Sequence, residues 1–139
     1  MKTLKTCILI CLLFSSISCK KETLTVSLNG TWELRSIQAD SPLQLFPAGS
    51  GNILTFSGNS YQQISNGSTI KSGTFVIKND TSFNSLVVPA GEFENIIIYD
   101  NNTAAEKVFI QLSGNTLTLI SGQFAIDSGV KKVYERIEL

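Results

Sequence analysis

Most of this chain consists of short runs rich in Ile, Val, Thr, Phe and Tyr, separated by clusters of Gly, Asn and Ser. Such runs between turn residues are typical of β-strands, and no window of the chain repeats with a helical period. We therefore predict an all-β domain of eight strands: Thr31–Gln38, Asn52–Ser57, Ser60–Ser65, Thr69–Lys78, Phe93–Asp100, Lys107–Ser113, Thr116–Ser121 and Lys131–Glu138.

Three of the connections between these strands have the composition of tight turns. Gly58-Asn59 and Gly114-Asn115 lie in nearly identical surroundings, and Asn66-Gly67 uses the same residue types. A two-residue hairpin needs positive φ at its centre, which Gly and Asn adopt readily. Strands joined in this way pair antiparallel, so we predict an up-and-down meander that removes its exposed edges by closing into a barrel.

The connections of an up-and-down barrel alternate between its two ends. The two Gly-Asn turns therefore share one end with the longer connection at 79–92, and the first connection, Ala39–Gly51, lies at the other end. This first connection carries Leu43, Leu45 and Phe46 between two prolines. Large apolar side chains in a loop are not left in water without a packing or binding role. They fold over the barrel mouth as a lid above a ligand, or they pack onto the outside of the barrel.

The interior of an eight-stranded barrel is either filled by side chains or wide enough for one small ligand. We expect the inward side chains to include Leu34, Phe56, Ile97, Ile110, Leu117, Leu119 and Val133. Ser72-Gly73-Thr74, at the centre of the fourth strand, leaves a gap in this packing. Alternatively, Gly73 marks a bulge that bends the strand for closure.

The first nineteen residues have a different character. Two lysines open the chain, an apolar run follows from Thr6 to Ile17, and small residues lead into Cys19. The run is shorter than the about 20 apolar residues that cross a bilayer, and it ends in serines, as in a signal peptide. The segment resembles a bacterial lipoprotein signal, whose cleavage leaves the cysteine first and acylated. We expect residues 1–18 to be removed, acyl chains such as palmitate on Cys19, a polar spacer over 19–28 and one domain over 29–139.

Composition excludes several kinds of chemistry. Cys19 is the only cysteine outside the expected signal peptide, and the chain contains no histidine. A disulfide framework, a cysteine zinc site and histidine-dependent catalysis are therefore excluded. The chain has 11 basic and 11 acidic residues and a formal net charge of zero, which argues against a nucleic-acid partner.

Nothing in the sequence indicates a catalytic or metal site. We expect the acidic residues to face water: Glu33, Glu92, Glu94, Glu106, Asp127 and Glu135. Asp100-Asn101-Asn102-Thr103 lacks the repeated acids and central glycine of a calcium loop, so we interpret it as a turn. We predict no enzyme activity, no metal and no cofactor. Tyr61, Tyr99 and Tyr134 either line a mouth and stack on a ring of a ligand, or are ordinary strand residues.

Two features carry a resemblance to a known family. The first strand opens with Gly30-Thr31-Trp32, the Gly-x-Trp pattern of lipocalins, and the last strand carries Arg136. In lipocalins, an arginine at this place packs over the tryptophan and closes the floor of the barrel, so the resemblance implies the same role for Trp32 and Arg136. Together with the signal segment, the chain looks like the lipocalin-like lipoproteins of Bacteroidetes.

The sequence thus predicts a lipid-anchored, lipocalin-like barrel of the cell envelope. The absence of aspartate after Cys19 resembles outer-membrane lipoproteins, and the choice between the periplasmic face and the cell surface stays open. We expect the barrel to bind a small apolar or amphipathic molecule under the Ala39–Gly51 connection. The alternative is an envelope interaction module with a packed interior, whose loops bind a protein or a glycan.

Overall fold

The computed structural model describes residues 27–83, 91–123 and 127–138, and within these ranges all regular structure is β-strand. The strands are β1 (Gly30–Gln38), β2 (Gln44–Leu45), β3 (Ile53–Ser57), β4 (Ser60–Ser65), β5 (Ser68–Asn79), β6 (Asn95–Tyr99), β7 (Val108–Ser113), β8 (Thr116–Gln123) and β9 (Asp127–Ile137). In this described part of the chain, no helix is long and apolar enough to span a bilayer. The expected signal peptide and Cys19 lie outside it.

The sheet is a closed barrel of eight antiparallel strands. Each strand from β3 to β8 pairs with the next, β1 pairs with β3, and β1 also pairs with β9 from Thr31↔Ile137 to Gln38↔Lys131. The predicted eight-stranded antiparallel barrel is confirmed, with β2 as a short addition that pairs with β1. Closure joins the first and last long strands, so the strands from Gly30 to Ile137 form one continuous sheet.

The tight turns have the backbone conformation that their residues favour. Gly58 and Gly114 have φ of 56° and 58°, as at the first central position of a II′ turn. At the third turn, Asn66 and Gly67 have φ of 50° and 76°, as in a I′ turn. The three predicted hairpins are thus present, and each one fixes the register of the strands that it joins.

Large apolar side chains fill much of the barrel interior. The buried interior cluster consists of Leu28, Trp32, Leu34, Leu54, Phe56, Tyr61, Phe75, Ile97, Ile110, Leu117, Leu119 and Tyr134. It contains all the side chains predicted to face inward except Val133, for which the prediction is wrong. Lys132 pairs with the inward Leu119, and Tyr134 also faces inward, so alternation along β9 turns Val133 outward.

A second apolar cluster lies on the outside of the barrel. Phe93, Ile96, Phe109 and Ile120 are buried there, and Phe83 packs against them with its ring centroid 4.8 Å from that of Phe93 and 5.0 Å from that of Phe109. Phe83 and Phe93 belong to the connection between β5 and β6. Phe83 and Phe93 therefore cover the outer face of β6 to β8 around Ile96, Phe109 and Ile120.

One end of the barrel, which we call the floor, is closed by Trp32 and Arg136. The Trp32 side chain is fully buried, and its indole nitrogen donates a hydrogen bond to the Leu28 carbonyl at 2.8 Å. The Arg136 guanidinium lies over the indole, 4.2 Å from the ring centroid, and donates to the Asn29 carbonyl at 2.6 Å. Gly30 has φ of 134°, and a β-carbon there would overlap the guanidinium. The Gly-x-Trp pattern thus leaves room for the arginine.

Candidate functional site

The opposite end of the barrel, which we call the mouth, contains a cleft of about 400 Å³. The cleft lies where β6 and β7 separate: only Asn95, Ile96 and Ile97 of β6 pair with β7, and the connection at 100–107 spans the gap. Its lining includes Lys71, Ile97, Tyr99, Thr103, Ala105 and Val108. The volume lies within the range of small-molecule sites, which is about 300–1,000 Å³.

Charged side chains of both signs line this cleft, among them Lys71, Asp100 and Glu106, beside the ring of Tyr99. The rings of Tyr61 and Tyr99 are 4.6 Å apart between centroids and tilted by 60°. The Lys71 ammonium lies 5.8 Å from each ring centroid, within reach of a cation–π interaction. Lys71 faces inward because it shares a face of β5 with Gly73, which pairs with the buried Tyr61. No local pattern in the sequence marks Lys71 as a site residue.

Asp100 ties the connection at 100–107 to the barrel wall. Its carboxylate accepts hydrogen bonds from the Tyr61 hydroxyl and from the Thr74 backbone N–H, each at 3.0 Å. Its own N–H donates to the Thr74 carbonyl at 2.7 Å. Asp100 and Asn101 both have φ of 54°, so the chain turns sharply at the end of β6. The predicted turn is present, and its first residue holds one wall of the cleft in place.

Burial raises the pKa of all three tyrosines that the sequence analysis considered for the mouth. The pKa of Tyr134 rises to about 12 through burial. Burial raises the pKa of Tyr99 further above the usual range, with added effects of the nearby Tyr134 and Tyr61 phenols. The pKa of Tyr61 is raised by burial and by its hydrogen bond to Asp100, against the opposing effect of Lys71. The three phenols thus lie on the inner wall, and their raised pKa values keep them neutral at physiological pH.

A smaller cleft of about 140 Å³ opens on the same inner wall. Its lining includes Leu34, Leu54, Gln63, Lys132 and Tyr134. Lys132 faces inward because it pairs with Leu119 of the interior cluster. Tyr134 therefore contributes to this second cleft and, through its electrostatic effect on Tyr99, lies close to the first.

The Ala39–Gly51 connection folds back along β1 at the mouth. Residues Gln44–Leu45 pair with Ser36 and Ile37, and the Phe46 N–H donates to the Arg35 carbonyl at 2.8 Å. Phe46 packs against the interior cluster. Leu43 and Leu45 are 54% and 74% exposed. One of the three apolar residues therefore extends the core, and the two leucines face solvent beside the mouth.

Glu33 anchors this connection, and the prediction that it faces water is wrong. Its side chain is buried and accepts a hydrogen bond from Arg35 at 2.6 Å and from the Gly49 and Gly51 N–H groups at 3.1 and 3.3 Å. Arg35 in turn binds Glu135 at 2.8 Å. The hydrogen bond from Arg35 holds the pKa of Glu33 below its ordinary value, and the two N–H groups add to this effect against the opposing effect of burial.

Gly73 is not a bulge. It pairs with Tyr61 in regular register, and the irregularity between β4 and β5 falls at Gln63 and Ile64 instead. A β-carbon at position 73 would overlap the Asp100 carboxylate. The glycine is thus explained by the close approach of Asp100, a contact between distant segments that the sequence alone does not show.

Ion pairing reduces the positive charge at the outer margin of the cleft. The Lys107 ammonium binds the Asp80 carboxylate at 2.7 Å and the Ser82 hydroxyl at 2.9 Å. The hydrogen bond from Lys107, together with hydrogen bonds from the Ser82 hydroxyl and N–H, lowers the pKa of Asp80 to about 2. The charge of Lys107 is therefore already neutralised, whereas Lys71 makes no salt bridge with any other described residue.

Comparison of the chain with known protein families, with curated proteins and with solved structures gave no significant match.

Proposed function

We propose that this protein is a lipid-anchored, lipocalin-like barrel of the outer membrane that binds a small apolar or amphipathic molecule at its mouth. The observation that carries the binding role is the cleft of about 400 Å³ between β6 and the connection at 100–107. Its apolar side chains, among them Ile97, Ala105 and Val108, would bury a hydrocarbon surface at about 25 cal/mol per Å². Lys71 and Tyr99 supply polar contacts beside them.

The closed floor supports a defined orientation on the membrane. Arg136 binds the backbone of Ser27 and Asn29 at the floor, so the chain enters the barrel there. The residues between Cys19 and Ser27 would span at most about 25–30 Å when fully extended. A protein anchored through Cys19 would thus hold its floor towards the lipid headgroups and its mouth away from them.

The binding site can be tested by filling the cleft. Ala105 and its neighbour Ala104 are both exposed, but only Ala105 lines the cleft. We expect Ala105→Trp in the soluble fragment 22–139 to abolish the fluorescence enhancement of an anilinonaphthalene sulfonate probe, and Ala104→Trp to leave it unchanged. Equal probe binding by both variants would place the ligand elsewhere.

The anchor can be tested separately. Cys19→Ala should abolish incorporation of labelled palmitate and move the protein out of the membrane fraction. Cys11→Ala is the matched control, because that cysteine lies in the segment that processing would remove, and it should leave labelling and fractionation unchanged. Labelling that persists in Cys19→Ala would contradict the lipoprotein proposal.

The second candidate function is an envelope interaction module that binds a protein or a glycan. The observation that favours it is the exposure of Leu43, Leu45 and Ile70, at 54%, 74% and 66%. Exposed large apolar side chains are a mark of interaction sites when they form a patch. Leu43→Ser together with Leu45→Ser should abolish pull-down of an envelope partner under this alternative and leave probe binding by the cleft unchanged.

A further inference from the structure

We infer that two copies of this protein pair mouth to mouth through β2, the short strand of the Ala39–Gly51 connection. The pairing is independent of any ligand in the cleft. Three properties of β2 support it: its free edge, the outward direction of its leucine side chains, and the absence of charge in the segment around it.

β2 is the one described strand with a free edge. It pairs with β1 alone, whereas each of the other described strands pairs on both sides through closure of the barrel. The Phe46 N–H donates to the Arg35 carbonyl, and backbone groups alternate between the two edges of an antiparallel strand. The N–H and C=O of the preceding Leu45 therefore point away from β1, where an added strand would bind them.

The side chains beside this edge are apolar and point outward. Ile37 and Phe46 pack against the interior cluster. Leu45 pairs with Ser36, the neighbour of Ile37, so Leu45 lies on the outer face together with Leu43. Both leucines are exposed. A strand added to β2 would cover them and complete the hydrogen bonding of the edge at the same time.

The segment that contains the edge is free of charge. The chain carries no Lys, Arg, Asp or Glu between Ser41 and Ile70, a stretch that includes β2, β3 and β4. Soluble proteins usually blunt a free edge with charged side chains, lysine above all, and depletion of charge is typical of the core of a protein interface. The formal net charge of the chain is zero, which favours association of identical copies.

A second copy fits this edge because the segment is self-complementary. In antiparallel pairing about Gln44, Leu43 of each copy lies opposite Leu45 of the other, and the backbone groups of these leucines exchange hydrogen bonds. The four leucine side chains then form one strip of cross-strand pairs on the outer face. Every copy carries this edge, whereas an unrelated protein would need to expose an unpaired strand of its own.

The pairing fixes how the two barrels face each other. A twofold axis between antiparallel strands reverses the direction of every strand, so the two floors point in opposite directions and the two mouths meet. The proposed anchor at Cys19 would hold each floor at the lipid headgroups. Anchored copies that pair in this way would therefore belong to two apposed membranes, a consequence that rests on the proposed anchor.

Sedimentation equilibrium of the soluble fragment 22–139, which contains all the described strands, tests the pairing. Two short strands bury less surface than a standard interface, so we expect a reversible dimer with a dissociation constant of about 10–1,000 µM. Leu45→Lys places like charges across the edge, and Leu45→Pro removes the outward N–H without removing a hydrogen bond to β1. Each should weaken the dimer about tenfold or more.

Two control variants keep the interface intact. Leu45→Val retains an apolar side chain and the backbone N–H, and it should retain the dimer. Ser57→Lys adds the same charge as Leu45→Lys at an exposed position at the floor end of β3, and it should leave the dissociation constant unchanged.

A single cysteine tests the register. Residues 22–139 contain no cysteine, so Gln44→Cys introduces the only one. The central residues of the twofold pair have Cα atoms about 4.5 Å apart, within reach of a disulfide, and Gln44→Cys should oxidise to a linked dimer. In Ser41→Cys the corresponding atoms would be about 20 Å apart, and no linked dimer should form.

The mature lipidated protein tests the orientation. Added to preformed vesicles of phosphatidylethanolamine and phosphatidylglycerol, it should cluster them in dynamic light scattering, because many weak contacts act together. Lipidated Leu45→Lys should leave the vesicles dispersed. Vesicles that stay dispersed with the wild-type protein would overturn the arrangement between two membranes.

The remaining outcomes decide the pairing itself. A folded fragment that stays monomeric at about 2 mM would overturn the inference. A dimer that survives both Leu45→Lys and Leu45→Pro would overturn the assignment to β2, and equal oxidation of Gln44→Cys and Ser41→Cys would overturn the twofold register. Binding of a fluorescent probe by the cleft is measured separately, so each of these results leaves the proposed binding function standing.

Discussion

The carboxylate of Asp100 occupies the space that a β-carbon of residue 73 would fill. Gly73 lies in the middle of β5, and Asp100 follows the last residue of β6, so the two meet because the strands pair. The missing side chain lets the carboxylate reach both the Thr74 N–H and the Tyr61 hydroxyl. One glycine therefore sets the position of the connection that covers the cleft.

Gly73→Ala should displace that connection. The methyl group would overlap Asp100, and the Thr74 N–H and the Tyr61 hydroxyl would lose their acceptor, so we expect a loss of about 1–3 kcal/mol in the free energy of unfolding. Urea denaturation measures this loss. Ser72→Ala, at the neighbouring exposed position, should change stability by less than about 0.5 kcal/mol. A Gly73→Ala variant as stable as Ser72→Ala would contradict the account.

Trp32→Ala should unfold the floor. The side chain is fully buried and contacts the Arg136 guanidinium at 4.2 Å from its ring centroid, and large-to-small changes at such aromatic positions cost about 3–5 kcal/mol. Trp32→Phe keeps an apolar ring under the guanidinium and should cost distinctly less. Thermal melting distinguishes them, and little change in Trp32→Ala would count against the floor arrangement.

The contribution of Glu33 to stability should depend on pH. Its pKa is lowered in the folded protein from an ordinary value of 4.5, so the stabilisation is present above that value and is lost as pH falls through the folded pKa. At neutral pH we expect Glu33→Gln to cost about 1–3 kcal/mol, since hydrogen bonds to a charged group are lost. The difference between wild type and variant should shrink as pH falls below 4.5. A difference that stays constant as pH falls well below 4.5 would show that the Glu33 charge is not what holds the connection.

The tyrosines provide a test at alkaline pH. The chain has 3 tyrosines, Tyr61, Tyr99 and Tyr134, and burial raises the pKa of each above the usual 10.0. Unfolded phenols ionise first, so the stability that these residues provide should be complete below pH 10 and decline as pH rises above it. Phenolate absorbance of the folded protein should therefore rise only above pH 10, and in step with unfolding. Ionisation of one tyrosine near pH 10 in the native state would contradict the burial described here.

The sequence predicts the barrel well because its signals are local. Each Gly-Asn or Asn-Gly pair favours a hairpin through its own backbone conformation. The strands on either side of such a turn then pair with each other. The short strand β2 was not predicted, because Gln44 and Leu45 pair only where β1 separates from β3. Val133 was placed on the wrong face. Its neighbours Lys132 and Tyr134 pair with interior residues, so Val133 faces outward.

The candidate site was predicted less completely. The three tyrosines were identified, Asp100 was named only as the start of a turn, and Lys71 was missed, since their roles at the cleft arise from contacts between segments distant in the chain. Glu33 looked like a surface acid because its partners, Gly49 and Gly51, donate from the backbone and leave no signal in the sequence. Gly73 was the one local sign of the Asp100 contact, and it was equally consistent with a bulge.

The central claim is that the mouth holds a small amphipathic molecule, and native mass spectrometry tests it most directly. The fragment 22–139, exported to the envelope of its own organism behind a cleavable signal peptide and purified without detergent, should carry a stoichiometric adduct that extraction identifies as an apolar or amphipathic molecule. Ala105→Trp should lose that adduct, and Ala104→Trp should keep it. A clean mass without adduct, repeated after incubation with envelope lipid extract, would contradict the claim and favour the interaction module.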